Sequence, residues 1–220
     1  MKFLLILIFF TSFLFSQEEF NVTYFEDSSA KQSINQIEEN GSLLFKPLEK
    51  SNFGSTESNI WLKIVFTNHT NETKKKILEF QDSRLDRLEL YHNTRLVNVI
   101  GDRLPFNNRK IKSSTPTYSF TVAANSQTIY YICISNKGTT NLRYKTYSET
   151  DYSSHINMQN IFYSFYYGAT SIMIFYNLIL FIFIRERAFF DYVVYHLSLV
   201  GVMLYYNGVI MGFYEPSLSD

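Results

Sequence analysis

The chain has 220 residues, with Lys+Arg 20 and Asp+Glu 20, so its formal net charge is zero. This balance argues against a nucleic-acid binder or a partner for another polyanion, because both need an excess of basic side chains. The hydrophobic fraction of 46% is concentrated at the two ends of the chain. The positions of these apolar segments therefore favour a membrane protein.

The N-terminus has the three parts of a secretory signal peptide. Lys2 precedes the apolar block FLLILIFFTSFLF, which is followed by Ser16 and the polar residues QEE. We expect a signal peptide over residues 1–16, with cleavage after Ser16. The alternative is an uncleaved anchor, but the block is shorter than the roughly 20 apolar residues that a membrane-spanning helix needs.

Residues 17–152 are predicted to form an exported β-sandwich. Short runs rich in β-branched and aromatic residues alternate there with turn-forming clusters such as TNHTNET and SNKGTT. The runs are WLKIVF from residue 61, KILEF from 76, LDRLELY from 85, RLVNVI from 95, TYSFTV from 117, TIYYICI from 128 and LRYKTY from 142. Such a pattern is typical of an antiparallel sandwich.

A brief helix is expected before these strands, in SINQIEENG. Ser33 and Gln36 have the spacing of a capping box, and Gly41 is a stop signal. The chain has a single cysteine, Cys133, which excludes a disulfide within the chain and favours a buried thiol. The exported domain must therefore be stabilised by its core.

Alternation in WLKIVF assigns two faces to this strand. Leu62, Ile64 and Phe66 lie on one side, which we expect to face the core. Trp61 lies on the other side, so it faces outward near the rim of the sandwich or lies under a loop.

Asp86 is the most informative polar residue of the predicted sandwich. If Leu88 and Leu90 point inward, alternation places Asp86 inward as well, and a buried carboxylate needs a partner such as Arg84 or Arg103. The alternative is that Asp86 lies where the strand begins, solvated or capping a turn.

The segment GDRLPF is interpreted as a turn first and as a binding rim second. Asp102 and Arg103 of this segment complete the set of candidate ligand-binding residues. These are Trp61, Arg84, Asp86, Arg87, Asp102 and Arg103.

Motifs for catalysis or metal binding are absent from the sequence. The four histidines lack metal-ligand spacing, and HExxH, Walker, GxSxG and GxGxxG patterns do not occur. We therefore expect no catalytic residues, no metal site, no cofactor and no enzymatic activity.

Residues 153–220 are predicted to form a partial membrane domain with helices at about 160–184 and 189–213. Both runs are long and apolar enough to cross a bilayer, and they are joined by the charged turn RER. Export of the sandwich places this turn in the cytoplasm, in agreement with the positive-inside rule. We expect the inner (cytoplasmic) membrane, with the β domain on the periplasmic or extracellular side.

Polar residues within the helices are informative because each is costly in lipid. Counting from the RER turn puts Asn177 and His196 at the same depth and pairs Tyr166 with Asn207. We expect Asn177 and His196 to hydrogen-bond across the hairpin. The alternative is that His196 snorkels or lines a polar cavity.

Several segments, in this order, resemble a known family. YFEDSSAKQSINQI, LLFKPL, NIWLKIVFTN, LEFQDSRLDRLELYH and GDRLPF resemble the exported sensor domain, of extracellular type 2, of the bacterial seven-transmembrane receptors with diverse intracellular signalling modules. YYGATSIMIFYNLILFIFIRERAFFDYVVYHLSL and YNGVI resemble the start of the membrane domain of these receptors.

The resemblance implies a jelly-roll sensor domain, similar to carbohydrate-binding modules, for a small ligand such as a carbohydrate. It also implies further transmembrane helices and a cytoplasmic output domain beyond this chain, which would then be a fragment, a truncated product or half of a split receptor. One alternative is a membrane-tethered module in which the sandwich docks a partner protein. Another is an exported hydrolase, which needs two facing carboxylates in a cleft.

Overall fold

The computed structural model describes residues 18–39 and 45–209, and these form a β-sandwich followed by two long helices. The predicted fold class, an antiparallel sandwich with a helical hairpin, is confirmed. The signal peptide at 1–16 and the stop at Gly41 lie outside the described residues.

The strands alternate with short turns along the exported part of the chain. They are β1 Glu18–Asp27, β2 Lys46–Pro47, β3 Asn52–Ser55, β4 Asn59–Asn68, β5 Lys74–Phe80, β6 Arg87–His92, β7 Arg95–Ile100, β8 Thr117–Val122, β9 Ser126–Ser135, β10 Thr139–Asn141 and β11 Tyr144–Tyr147. The helices are α1 Ile34–Glu39, α2 Glu149–Ile184 and α3 Arg187–Tyr206, with a 3-10 turn at Phe106–Asn108.

The strands pair antiparallel in three sheets. A six-stranded sheet has the order β2-β1-β4-β9-β6-β7, a three-stranded sheet the order β11-β5-β8, and β10 pairs with β3. The core lies between the two larger sheets, and it includes Leu62, Ile64 and Phe66 on one face of β4. The predicted core face of this strand is therefore confirmed.

The opposite face of the six-stranded sheet carries a second, smaller apolar cluster. Trp61, Tyr131 and Cys133 pack there against Ile37 of α1. α1 begins with the predicted capping interaction, because the Ser33 backbone N–H donates to Gln36 Oε1 at 2.9 Å. Burial raises the pKa of the Cys133 thiol to about 12, so this cysteine is an inert apolar group.

α2 begins at Glu149, earlier than the predicted start near residue 160. Its N-cap is Ser148, whose Oγ accepts a hydrogen bond from the Asp151 N–H at 3.1 Å. Only Ser148 separates β11 from α2, so the last strand of the sandwich continues almost directly into the first long helix. The predicted domain boundary at 152/153 lies inside α2.

Both long helices have the length and apolar composition of membrane spans. α2 ends at Ile184, as predicted, and Arg185 adopts a left-handed conformation with φ of 59° that turns the chain into α3. α3 begins at Arg187, close to the predicted start near residue 189, and ends at Tyr206 with Asn207 as its C-cap, so it stops before the predicted end near residue 213.

Candidate functional site

The structure brings Asp86, Asp102 and Arg103 together at one rim of the sandwich. Asp86 immediately precedes β6, and its Oδ1 lies 3.1 Å from Arg103 Nε. Its Oδ2 accepts a hydrogen bond from the Lys137 backbone N–H at 2.8 Å. Of the two arginines predicted as partners, Arg103 therefore fills the role. Asp86 lies at the start of the strand, as the alternative interpretation held.

Asp102 lies beside Asp86 in a half-buried position. Burial, and secondarily the negative charge of Asp86, raises the pKa of Asp102 to about 6. The preceding residue, Gly101, passes so close to the Asp86 backbone that a Cβ on it would collide with the Asp86 carbonyl. The rim thus depends on a glycine for close approach of two chain segments.

The remaining candidate ligand-binding residues have other surroundings. Arg84 forms a two-point contact with Asp82, at 3.0 and 3.2 Å. Arg87 Nε donates to Glu89 at 2.7 Å. Trp61 is only 2% exposed, and it lies beneath α1 rather than at an open rim. Direct contact of these residues with a ligand stays a prediction.

Arg109 is a buried cation that sequence reasoning missed. Its Nη1 donates to the carbonyls of Ser113 and Ser114 at 2.7 and 2.9 Å, and its Nη2 donates to the Gly101 carbonyl at 3.4 Å. Burial lowers the pKa of its guanidinium, although the charge of Asp102 opposes this effect. Arg109 therefore holds the long β7–β8 loop in shape. Arg109 lies in a loop, where the sequence has no strand or helix periodicity that would mark a buried residue.

A second polar cluster joins the three-stranded sheet to the first turns of α2. Glu79 on β5 is 5% exposed, accepts a hydrogen bond from Thr115 Oγ1 at 2.7 Å and lies 3.6 Å from His155 Nε2. The His155 ring stacks on Tyr147, with ring centroids 5.0 Å apart. Burial, followed by the charge of Glu79, raises the pKa of Tyr147 to about 12. Strands and helix are thus bound through one buried carboxylate.

The end of α3 also contacts the sandwich. Ser83 Oγ donates to the Tyr206 carbonyl at 3.4 Å, and the Arg84 guanidinium lies 5.8 Å from the centre of the Tyr206 ring. Gly208 has a φ of 68°, and a Cβ there would lie 2.7 Å from the Ser114 carbonyl oxygen. Both long helices therefore reach the same end of the sandwich, which we call the junction.

A cavity of about 490 Å³ opens at the junction, between the β7–β8 loop and the first turns of α2. We call it the junction cavity. The residues that line it are Phe106, Ile111, Lys112, Ser113, Ser114, Tyr152, Ser153, Ile156, Asn157, Gln159, Asn160, Tyr163, Gly208 and Val209. None of them was named as a candidate ligand-binding residue, although Phe106 ends the predicted GDRLPF rim, because they come from three distant segments.

The polar residues of the helices bond mainly within their own helix. Asn177 Nδ2 donates to the Met173 carbonyl at 2.8 Å, and His196 Nδ1 lies 2.9 Å from the Tyr192 carbonyl oxygen. Asn177 is buried within the hairpin, whereas His196 is partly exposed. A contact between Asn177 and His196 stays a prediction.

The second predicted pair has a similar outcome. The Tyr166 carbonyl accepts a hydrogen bond from Thr170 Oγ1 at 2.8 Å, and the Asn207 backbone N–H donates to the Met203 carbonyl at 3.0 Å. Both are bonds within one helix. A contact between Tyr166 and Asn207 also stays a prediction.

Two family models match the chain in the order of its domains. The model described as 7TMR-DISM extracellular 2 matches residues 20–148. The model described as 7TM diverse intracellular signalling matches residues 159–219. No curated protein matches the chain.

Solved structures with a similar arrangement are distant. A β-glucosidase from Kluyveromyces marxianus in complex with glucose is 8% identical, with a TM-score of 0.31, and the match covers 59% of this chain and 15% of the other. A family 35 carbohydrate binding module from an environmental isolate is 8% identical, with a TM-score of 0.25, covering 44% and 69%. A GH31 α-xylosidase from Xanthomonas citri is 9% identical, with a TM-score of 0.28, covering 57% and 13%. These scores support no argument about what the chain binds.

Proposed function

Because the chain belongs to the family of seven-transmembrane receptors with diverse intracellular signalling modules, we propose that its sandwich senses a small ligand and passes the bound state directly to α2. It is a membrane protein with an exported N-terminal domain, and its family is one of receptors. Under this proposal the chain has no enzymatic activity of its own. The proposed location is the inner membrane, with the RER turn in the cytoplasm.

The direct connection from β11 to α2 is the observation that carries the proposal. Ser148 alone separates the two elements, and Glu79 ties β5 to α2 through His155. Because no flexible linker separates β11 from α2, we expect a displacement of the strands to move the start of α2. Coupling further requires that the ligand bind one arrangement of the junction better than another, since only differential affinity shifts such an equilibrium.

The proposed partners follow from the surface of the hairpin. Large apolar side chains such as Phe165 and Phe183 remain exposed along α2. In a receptor these faces are covered by lipid and by further transmembrane helices. Those helices would relay the state of the junction to a cytoplasmic output domain. A small carbohydrate is the proposed ligand class.

Melting temperature and amide hydrogen exchange of the full chain in lipid nanodiscs test this function. We expect at least one compound from a panel of sugars, amino acids and organic acids to raise the melting temperature and to slow amide exchange in residues 148–160. A panel without any stabilising compound would contradict ligand sensing. Stabilisation without a change in residues 148–160 would contradict coupling through α2.

A further inference from the structure

We propose that the junction cavity is the ligand site of the sensor and that it takes a neutral molecule with several hydroxyl groups, such as a monosaccharide. This inference rests on the proposed function and names its site. It moves the site away from the rim at Asp86 and Arg103.

The size and position of the cavity fit such a role. Its volume of about 490 Å³ lies within the range of about 300 to 1,000 Å³ that is usual for small-molecule sites. One wall comes from the β7–β8 loop of the sandwich and the other from the first turns of α2. A ligand held between these walls contacts the sensor and the transmembrane helix at the same time. Its binding energy therefore depends directly on their relative position.

The polar lining matches neutral hydroxyl groups. Among the described residues of the wall, Lys112 alone carries a formal charge, and its Nζ already bonds to the carbonyl and Oδ1 of Asn107, at 3.2 and 3.3 Å. Hydroxyl and amide side chains supply the rest of the polar lining, including Asn157 and Ser153, whose Oγ donates to the Glu149 carbonyl at 2.9 Å and can still accept. These groups both donate and accept hydrogen bonds, as sugar hydroxyls do, whereas carboxylates only accept. The wall offers little to neutralise a charged ligand.

Aromatic groups complete the lining. Phe106, Tyr152 and Tyr163 supply apolar ring surface beside the polar groups. Tyr152 is 7% exposed, and its hydroxyl has no hydrogen-bond partner within the described part of the chain. The Tyr152 hydroxyl is itself enclosed, so the ring of Tyr152 rather than its hydroxyl is available at the cavity wall. At the rim, the carboxylate of Asp86 is already held by Arg103 and Lys137, and the buried Oδ1 of Asp102 lacks a hydrogen-bond partner among the described residues.

Two adjacent serines on α2 provide a matched test. Both serines are exposed, but Ser153 lines the junction cavity and Ser154 does not. The full chain in phosphatidylcholine nanodiscs is titrated with glucose, galactose, mannose, xylose and N-acetylglucosamine, and melting temperature is recorded. We expect at least one sugar to stabilise the wild type by a few degrees. Ser153→Trp should abolish this shift by filling the cavity, and Ser154→Trp should retain it.

A second pair of variants keeps the test decisive if Ser153→Trp fails to fold. Asn157→Ala removes a lining amide, and Met158→Ala changes the next, exposed residue outside the lining. We expect the first to weaken sugar binding about tenfold and the second to leave it unchanged, because loss of one hydrogen bond to a ligand is about a tenfold effect.

The other outcomes overturn the inference in distinguishable ways. If a sugar still stabilises both Ser153→Trp and Asn157→Ala but no longer stabilises Asp86→Asn, the site is the rim and the proposed function survives. If no sugar binds but glutamate, citrate or spermidine does, the ligand class is wrong and sensing survives. If none of these compounds binds, the inference and the proposed function both fail.

Discussion

The sandwich and the helical hairpin bury their apolar residues to very different degrees. In the sandwich, Phe66, Phe80 and Phe120 are completely buried between two sheets. In the hairpin, Phe183 is 82% exposed. Among the described residues of the hairpin beyond the junction, the buried ones are Thr170, Asn177 and Val193. The sandwich therefore contains the apolar contacts that stabilise it. The hairpin depends on lipid or on other helices for its own.

Truncation of one phenylalanine in each region should give the largest contrast. Phe66→Ala removes a ring from the sandwich core, and we expect a loss of about 3 to 5 kcal/mol in the free energy of unfolding. Phe183→Ala should change it by less than about 0.5 kcal/mol, because the ring contacts little protein. Denaturant unfolding of the full chain in nanodiscs, followed by Trp61 fluorescence, measures both. Equal losses would contradict the contrast.

The junction is where these two regions depend on each other, and Gly208 tests it. Gly208→Ala places a Cβ 2.7 Å from the Ser114 carbonyl oxygen and 2.8 Å from Ser83 Cβ, at a φ that disfavours alanine. We expect a cost of about 1 to 3 kcal/mol, relieved by release of the α3 end from the sandwich.

Amide exchange should locate the effect of this substitution. Exchange should quicken around residues 83 and 206, while the core strands β4 and β9 keep their protection. Gly168→Ala is the control, since a Cβ at that helical position meets nothing within 4 Å. If both variants exchange like the wild type, the junction contact does not hold α3.

The pH dependence of stability should separate the rim from the hairpin. Asp102 has a folded pKa of about 6 and an ordinary value of 3.8, so between these values the folded state binds a proton that the unfolded state does not. The stabilising contribution of protonated Asp102 is complete below about pH 4 and is lost as the pH rises through 6.

Substitution by a permanently neutral side chain should remove this dependence. Between pH 4 and pH 8, we expect the free energy of unfolding of Asp102→Asn to rise by about 1 to 2 kcal/mol relative to that of the wild type. The partial exposure of Asp102 keeps this rise below the value that the whole pKa shift would give. Parallel denaturant titrations at the two pH values measure it. Glu57→Gln, at an exposed position between β3 and β4, serves as the control. If the difference in unfolding free energy between Asp102→Asn and the wild type were the same at pH 4 and pH 8, the assigned environment of Asp102 would be wrong.

The sequence predicted the strands best where alternation was strong. β7 and β8 begin and end at the predicted residues, and Leu62, Ile64 and Phe66 face the core as expected. β1 was missed, although it pairs with β4 along its whole length. Its run EEFNVTYFED begins and ends with acids and adjoins the predicted signal peptide, so no turn signal marked it as a separate strand.

The first turns of α2 were missed because they are polar. Hydropathy marks only the part of a helix that lies in lipid, whereas the cap formed by Ser148 and Asp151 marks its true start. The pair of Asp86 with Arg103 could be predicted, since a carboxylate that alternation places inward needs a partner. The cluster of Glu79, Thr115 and His155 could not, because tertiary packing alone brings these distant residues together.

The exposed ion pair between Lys75 and Glu149 should give the smallest effect. It joins β5 to the first turn of α2 at 3.1 Å, but both side chains are about half exposed, at 49% and 57%. Solvent and side-chain entropy offset most of the attraction, so we expect Lys75→Ala to cost less than about 0.5 kcal/mol, and less still at high salt.

Glu79→Gln at the same junction should cost about 1 to 2 kcal/mol, because the lost charge is buried and faces His155. A double-mutant cycle between Lys75 and Glu149, run beside a cycle between Glu79 and His155, compares the two contacts directly. A larger coupling energy for the exposed pair would mean that the surface, rather than the buried carboxylate, holds the sandwich to α2.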